Sequence, residues 1–586
     1  MIHTKIICTI GPAVETYEKI VSLIQAGMNV ARLNFSHGTH EEHQIRIDFL
    51  KKARKELGLP LAIMLDTRGP EVRIGKLKGG KCTFSRGDEW RLVKEEVEGD
   101  NTRVWVRPGH VLDTLSPGDA VLFNDGNLVS EVIEKTKDGV TVLIYNEGTI
   151  TSGKGVNIPD AVLDLPAVTE KDIEDIKFGC KNDVDFIAAS FIRSPENIIT
   201  IKNILLQEGQ SQTGVIAKIE NKEGVENFDS ILQVSDGVMI ARGDLGVELP
   251  LSKVPKLQKD MIRKCYLVGK PSVTATQMLE SMNVNPRPTR AEVSDVANAI
   301  YDSTSVVMLS GETAAGAYPL ESVEVMRSII VEAEADFNFR AFFDKHSAFV
   351  YNDVPSSVTL ACVKTAYSSG AQAIFALTQK GSTARLLSRL RPGMPIIAMT
   401  PNEKCYHQLA MSWGVIPFLS KEIESVEEAF ELISSFAIQQ GLVSYGDLVV
   451  MSAGSTFGVS GTTNMMIVEN IGDVLIRAHS GVGNSVYGNV IFLLTPEAKK
   501  PYQVRDAILV IPKCSDKLEP YIKEARGVIL QNTVDDQESE ICLLTLSQKY
   551  DKPCLLRADS AFTILKEGGL VTLDPEKALI YKGVVI

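Results

Sequence analysis

Lys218 and Glu220 sit two residues apart at the end of an apolar run, Val215-Ile216-Ala217. If that run is a β-strand, both side chains leave the same face. Burying an ion without a partner costs several kcal/mol, so an ammonium and a carboxylate aimed into one space need a reason. A structural salt bridge is one such reason, and a reaction centre is another. Six further apolar runs also end in polar residues. One ends Arg32-Leu33-Asn34-Phe35-Ser36-His37, and a second ends Asp66-Thr67-Arg68-Gly69-Pro70-Glu71 with Arg73 just beyond. A third ends at Ser190 and Arg193. The others end Ala241-Arg242-Gly243-Asp244, Thr274-Ala275-Thr276-Gln277 and Ser310-Gly311-Glu312-Thr313. Glu220 and Asp244 come from consecutive runs and offer hard oxygen ligands. Mg²⁺ is held by one or two carboxylates with substrate oxygens completing the shell. Arg32, Arg73 and Lys218 add positive charge, and phosphoryl transfer needs metal and cations around the moving group. A short helix opening at Gly243-Asp244 would add free N–H groups for a carboxylate.

Those residues need a scaffold that brings run ends together. Over residues 1–340, apolar β-rich runs alternate with amphipathic helical stretches. The runs are 4–11, 29–36, 61–67, 185–192, 214–221, 237–244, 270–277 and 305–312. Helical stretches include 18–26, 40–57, 171–181, 195–208, 255–268, 290–302 and 320–336. Eight such units predict a parallel (β/α)8 TIM barrel, with chemistry at the C-terminal strand ends. The spacing breaks once, over about 70–166. Short β-like pieces there are separated by turn signals such as Ser116-Pro117-Gly118-Asp119 and Lys137-Asp138-Gly139. They predict an all-β domain inserted after the third strand, on the face where it can act as a lid. From about residue 347 a second α/β pattern starts, and a further mixed α/β segment follows residue 478. The expected fold class is α/β: a barrel at 1–69 and 167–345, an inserted β lid at 70–166, an α/β regulatory domain at 346–475 and an extra C-terminal domain at 476–586.

Composition narrows the function classes. The 586 residues predict three to five domains at roughly 100–200 residues each. A net charge of −13 argues against a general nucleic-acid binder. No apolar stretch approaches the ~20 residues of a membrane span, and no signal peptide is visible, so no membrane partner is expected. The nine cysteines are scattered, with no C-x-x-C pair, and predict reduced thiols in a cytoplasmic protein.

Longer motifs carry a family likeness: L-N-F-S-H-G (33–38), L-D-T-R-G-P-E (65–71), K-G-V-N (154–157), A-K-I-E-N (217–221), A-R-G-D-L-G (241–246), A-T-Q-M-L-E-S-M (275–282), P-R-P-T-R-A-E-V-S-D-V-A-N-A (286–299) and S-G-E-T-A-A-G-A-Y-P (310–319). Together they resemble the pyruvate kinase family over about residues 4–475. The resemblance implies transfer of the phosphoryl group of phosphoenolpyruvate to ADP, giving ATP and pyruvate, the last step of glycolysis. It implies that Lys218 faces the moving phosphoryl group and that Glu220 and Asp244 hold Mg²⁺ (or Mn²⁺). Ala241, Arg242 and Gly243 would give backbone contacts there, and Thr276 would belong to the set that protonates the enolate. Arg32 and Arg73 would contact phosphate, and Asn34, Ser36, Asp66 and Thr67 would hold K⁺. Glu71 is the variant that goes with K⁺ dependence in the family. Asn34, His37, Arg73, Lys154 and Asn157 lie where the family meets nucleotide. Departures are Arg68 in place of a usual lysine and Asn124 in place of a common aspartate.

The loop Thr378-Gln379-Lys380-Gly381-Ser382-Thr383 follows a predicted strand and opens a helix over 384–391. Its hydroxyls, N–H groups and Lys380 suit a phosphate. In the resembled family this loop binds a sugar-phosphate or nucleotide effector, although Lys380 replaces a small residue. A homotetramer is likewise implied. The tail resembles a phosphohistidine domain of phosphoenolpyruvate-utilising enzymes, whose T-S-H motif falls near Ser539-Glu540-Ile541-Cys542. The eight histidines end at His479, so the tail is expected to be structural or interface-forming. Two other readings stay open here: a Mg²⁺-dependent pyruvate-enolate lyase of the same barrel class, and a metabolite sensor that kept the fold.

Overall fold

The structure is a computed structural model that describes residues 2–585 apart from 160, 162, 163, 349–352, 424 and 455–460. Eight parallel strands close a barrel: β1 (Lys5–Thr9), β2 (Val30–Asn34), β3 (Ala62–Asp66), β4 (Phe186–Ala189), β5 (Gly214–Ile219), β6 (Gly237–Ala241), β7 (Ser272–Ala275) and β8 (Val306–Leu309). Each pairs with its sequence neighbours, and β8 closes on β1. Their residues are buried on both faces. Ile7, Val30, Met64, Ile216, Met239 and Val306 belong to the cluster that fills the interior. Ile63, Ile187, Val215, Ile240 and Val307 belong to a second cluster with helix residues such as Leu23, Ile47 and Met326. Continuous β-branched runs are the expected pattern for strands covered on both sides.

Caps set where the barrel helices begin. Thr39, Thr169 and Thr289 each accept from a backbone N–H three residues on, and Glu42, Asp172 and Glu292 answer as capping boxes. Each cap contributes about 1 kcal/mol. The strands are shorter than their apolar runs. The run over 237–244 ends as a strand at Ala241, where the helix Arg242–Glu248 opens, one residue before the short helix expected at Gly243-Asp244, and Gly311–Ala314 is a single helical turn.

Between β3 and β4 lies an all-β insertion. It holds a seven-stranded sheet and a two-stranded one. Trp90, Phe84 and Phe123 pack at its centre with Leu92, Val104 and Val142. After the barrel, strands Ala373–Leu377, Ile396–Thr400, Val415–Leu419, Leu448–Gly454 and Thr463–Asn470 form a separate five-stranded sheet. By contact density the chain divides into two units, one of Met1–Val363, Ala376–Glu422 and Ala453–Asn464, the other of Lys364–Phe375, Ile423–Ser452 and Met465–Ile586. The second unit contains an eight-stranded sheet whose middle strands, Val486–Phe492, Ile508–Ile511, Gly527–Leu530 and Cys554–Leu556, are parallel. Among the described residues no helix is long and apolar enough to cross a membrane.

Within the first unit, His407 receives a hydrogen bond from the Leu61 N–H at 3.3 Å on Nδ1, which requires an unprotonated nitrogen there. Burial, then Arg54, lower its pKa to about 3, against Asp183. Glu403 stands 3.9 Å away on the same helix. The unfolded chain therefore binds this proton more readily than the folded one. Stability from His407 is complete above pH 6.5 and is lost as pH falls from 6.5 toward 3. We expect a slope of up to about 1.4 kcal/mol per pH unit, and a flatter acid limb in thermal melts of His407→Asn.

Candidate active site

The C-terminal ends of β2 to β7 meet in a buried charge network. Lys218, the penultimate residue of β5, donates to Asp66 Oδ1 at 3.0 Å and Ser190 Oγ at 2.6 Å. Its ammonium also lies 3.0 Å from Glu220 Oε1. Arg32 donates from Nε to Asp66 Oδ2 at 2.6 Å and from Nη1 to Thr9 Oγ1 at 3.0 Å. Asp66 is fully buried. Burial alone would raise its pKa, but Arg32 and Lys218 overcome this and hold it below the usual range. Burial would likewise lower Lys218, yet Asp66 and Glu220 hold it above the ordinary lysine value. It is a permanent cation at neutral pH.

Glu220 and Asp244 behave differently. Burial pushes the Glu220 carboxyl up to about 7 despite Lys218, and the charge of Asp244 adds to the rise. Asp244 is also raised, first by burial, with Asp125 contributing. Glu220 Oε2 accepts from the Phe191 N–H at 2.5 Å. Two neighbouring acids whose ionised forms are penalised make an all-oxygen site short of positive charge. Those donors suit a hard divalent ion. Among the described residues no group of three or more His, Cys, Asp or Glu side chains forms a metal site. A metal held here would thus rely on these two carboxylates plus substrate and water.

Thr276 sits just past β7 with φ of 66°, a region a β-branched residue rarely enters. Gln277 follows at φ 53°. The Thr276 hydroxyl accepts from the Gly243 N–H at 2.8 Å and donates to the Ala275 carbonyl at 2.7 Å. Arg242 fixes this turn. Its guanidinium donates to Asp295 at 2.6 Å and to the carbonyls of Ala275 and Thr276 at 3.2 and 2.7 Å. Backbone strain at functional positions persists where surrounding contacts over-determine it, as they do here.

Around the rim, the Asn34 side-chain oxygen accepts from the Ser36 N–H at 3.1 Å. The Thr67 hydroxyl accepts from the Ser190 N–H at 3.2 Å. Gly69 has φ of +77°, and a Cβ there would stand 2.8 Å from that of Ser190, so only glycine fits behind the site. Arg73 lies in the inserted sheet, donating to Glu71 at 2.7 Å and the Gly153 carbonyl at 2.8 Å. His37 is exposed, and its carbonyl is engaged by His43 at 2.9 Å. The Lys154 carbonyl accepts from the Ile74 N–H, and Asn157 donates to Glu248 at 3.1 Å. A cavity of about 250 Å³ lies between the inserted domain and the barrel loops, lined by Glu71, Asp125, Asn157, Phe191 and Asp244 among others. It opens beside Asp244.

Comparison with known proteins decides the family. Residues 1–323 match the model for the pyruvate kinase barrel domain, and residues 356–469 match that for the pyruvate kinase alpha/beta domain. A pyruvate kinase of Staphylococcus haemolyticus is 42% identical over all 586 residues and 99% of its own length. One from Sporosarcina psychrophila is 41% identical over the same span, again with 99% of the relative covered. The chain belongs to the pyruvate kinase family. A crystal structure of a pyruvate kinase from Cryptosporidium parvum superposes with a TM-score of 0.77 at 37% identity, covering 80% of this chain and 96% of that one.

Against the pyruvate kinase motifs, two of the polar run ends make contacts that the sequence did not specify. Ser190 is the hydroxyl that bridges Lys218 and the Thr67 carbonyl, which it meets at 2.6 Å. Its only sequence signal is its place at a strand end. Glu312, read among the polar strand ends, does not face the mouth. It is buried and accepts from the N–H groups of Leu279 and Ser310 at 3.0 and 2.7 Å, bracing the loop after β7.

Proposed function

We propose that this barrel mouth transfers the phosphoryl group of phosphoenolpyruvate to ADP, giving ATP and pyruvate. The observation that carries the reading is the Lys218 ammonium held 3.0 Å from both Asp66 and Glu220, beside the burial-raised Asp244. Glu220 and Asp244 would hold Mg²⁺ (or Mn²⁺), which when bound offsets negative charge on substrate oxygens. Lys218 uses all three of its donors in this state. The neutral Ser190 hydroxyl is the least costly partner to release when a phosphoryl oxygen arrives. The ammonium then neutralises charge on the moving group, aided by Arg32 and Arg73. The backbone of Ala241, Arg242, Gly243 and Asp244 orients the enol-acid. As the phosphoryl group leaves, the Thr276 hydroxyl takes part in delivering a proton to the enolate carbon. Asn34, His37, Arg73, Lys154 and Asn157 receive the nucleotide, and the inserted β domain closes to exclude water.

Asn34, Ser36, Asp66 and Thr67 would hold K⁺, with Glu71 at the position that goes with K⁺ dependence. The four-part division at 1–69 with 167–345, 70–166, 346–475 and 476–586, a cytoplasmic location and a homotetramer complete the reading. In a lactate dehydrogenase-coupled assay we expect pyruvate formation that requires phosphoenolpyruvate, ADP and Mg²⁺. Omitting K⁺ should lower the rate at least tenfold, the equivalent of about 1.4 kcal/mol of transition-state stabilisation. Pyruvate released without ADP would favour the lyase alternative, to which the family matches lend no support, and no turnover at all would favour a sensor.

Regulation follows from the loop Thr378, Lys380, Gly381, Ser382 and Thr383. The Gly381 N–H donates to the Thr378 hydroxyl at 2.9 Å, and Thr383 bonds Thr463 at 2.6 Å. Within the first unit a cavity of about 680 Å³ is lined by Lys380, Ser382 and Arg385 from this segment and by Lys202, Lys270 and Asp236 from the barrel. Four cations against one carboxylate favour a phosphorylated effector. Lys380→Ala should abolish activation by ribose 5-phosphate or AMP in substrate-saturation curves, with the unactivated curve unchanged. Full activation of the variant by both compounds would remove the loop from this role.

A further inference from the structure

In the second unit, the Sγ atoms of Cys514 and Cys542 stand 3.0 Å apart. We propose that these two thiols are a redox-modification site that closes to a reversible disulfide, pinning one helix of the tail domain to the end of its neighbouring strand. Cys514 lies in the loop that follows the strand Ile508–Ile511, and Cys542 lies on the helix Gln537–Tyr550. The approach is held from a second point. Ser539, three residues before Cys542 and so on the same helical face, receives the Cys514 N–H on its hydroxyl at 3.1 Å. The two contacts fix the loop against the helix, so little movement separates the thiols from a bond. Their sulfurs are already closer than ordinary packing contact.

The pair is asymmetric. Cys514 is buried, and burial followed by its contact with Cys542 raises its thiol well above the usual value. Cys542 is half-exposed. An incoming oxidant therefore meets Cys542 first. With a hydroperoxide, the Cys542 sulfur attacks the O–O bond, giving a sulfenic acid and one water or alcohol. Cys514 then attacks that sulfur, an S–S bond forms, the S–O bond breaks, and its thiol proton leaves with the hydroxide as a second water. Two thiols are oxidised by two electrons, and one peroxide is reduced. A dithiol such as dithiothreitol reverses the step. Cys554 borders the same core, but no group of three potential ligands among the described residues would make this a metal site instead. The remaining cysteines are buried thiols in other surroundings.

The test uses the full chain with substoichiometric to slight excess hydrogen peroxide, followed by thiol counting in denaturant and mapping of peptides. Two of the nine thiols should be lost, as a Cys514–Cys542 cross-linked peptide, and both should return after dithiothreitol. In Cys542→Ser that pair should no longer disappear. Nine intact thiols, or Cys542 carried only to sulfinic acid in the native chain without a cross-link, would overturn the proposal. The wild-type peptide map decides the matter even if the variant folds poorly.

Discussion

Lys218→Met should lower turnover by about 10³-fold or more, the scale seen when a cation facing a transferring phosphoryl group is removed. The substitution keeps the methylene stem and deletes only the charge. It also leaves Asp66 with Arg32 as its cationic partner and Glu220 with the Phe191 N–H. Removing one member of a buried pair costs about 3–5 kcal/mol, so the variant should melt earlier than the parent chain. Far-ultraviolet circular dichroism at the assay temperature must therefore accompany the kinetics. A folded variant with negligible turnover at saturating Mg²⁺ is the expected result. A folded variant within tenfold of the parent would assign Lys218 a structural role only.

Asp244→Asn separates the metal from the scaffold. Burial penalises the Asp244 charge, so an amide of the same shape should leave stability unchanged or slightly raised. Function should suffer instead. The Mg²⁺ concentration for half-maximal rate should rise by about 10–100-fold at least, since even outer partners of a metal site cost that much when lost. A Mg²⁺ activation curve and a thermal melt of the same preparation check both halves. An unchanged curve would remove Asp244 from the metal site.

Much of this arrangement was readable from residue order, and the unreadable part has a physical pattern. Barrel strands announce themselves because burial on both faces forces runs such as Val215-Ile216-Ala217, and the helices between them announce themselves through amphipathic stretches such as 40–57 and 290–302. What the strand ends touch did not. The short helix expected at Gly243-Asp244 forms, opening at Arg242, but its partners come from elsewhere: Asp295 for Arg242 and Thr276 for Gly243. Glu312 has the composition of a site residue and the contacts of a brace, made 33 positions away at Leu279. Such pairings depend on which loops the closed barrel brings together, and a single sequence does not encode that locally. The same limit left open what Ser190, read as a polar run end, would touch until β3, β4 and β5 align it between Thr67 and Lys218. It also hid the meeting of Cys514 and Cys542, 28 residues apart. Lys218, Glu220 and Asp244 were legible because charge at the end of an apolar run is costly, and that cost is visible without coordinates.

The most direct measurement is a crystal structure of the chain with phosphoenolpyruvate and Mn²⁺, using anomalous scattering to fix the ion. The account predicts the ion on Glu220 and Asp244, at carboxylate distances of about 2.0–2.2 Å, with the Lys218 ammonium within hydrogen-bond reach of a phosphoryl oxygen. An ion bound away from both carboxylates, or a phosphoryl group out of reach of Lys218, would contradict it.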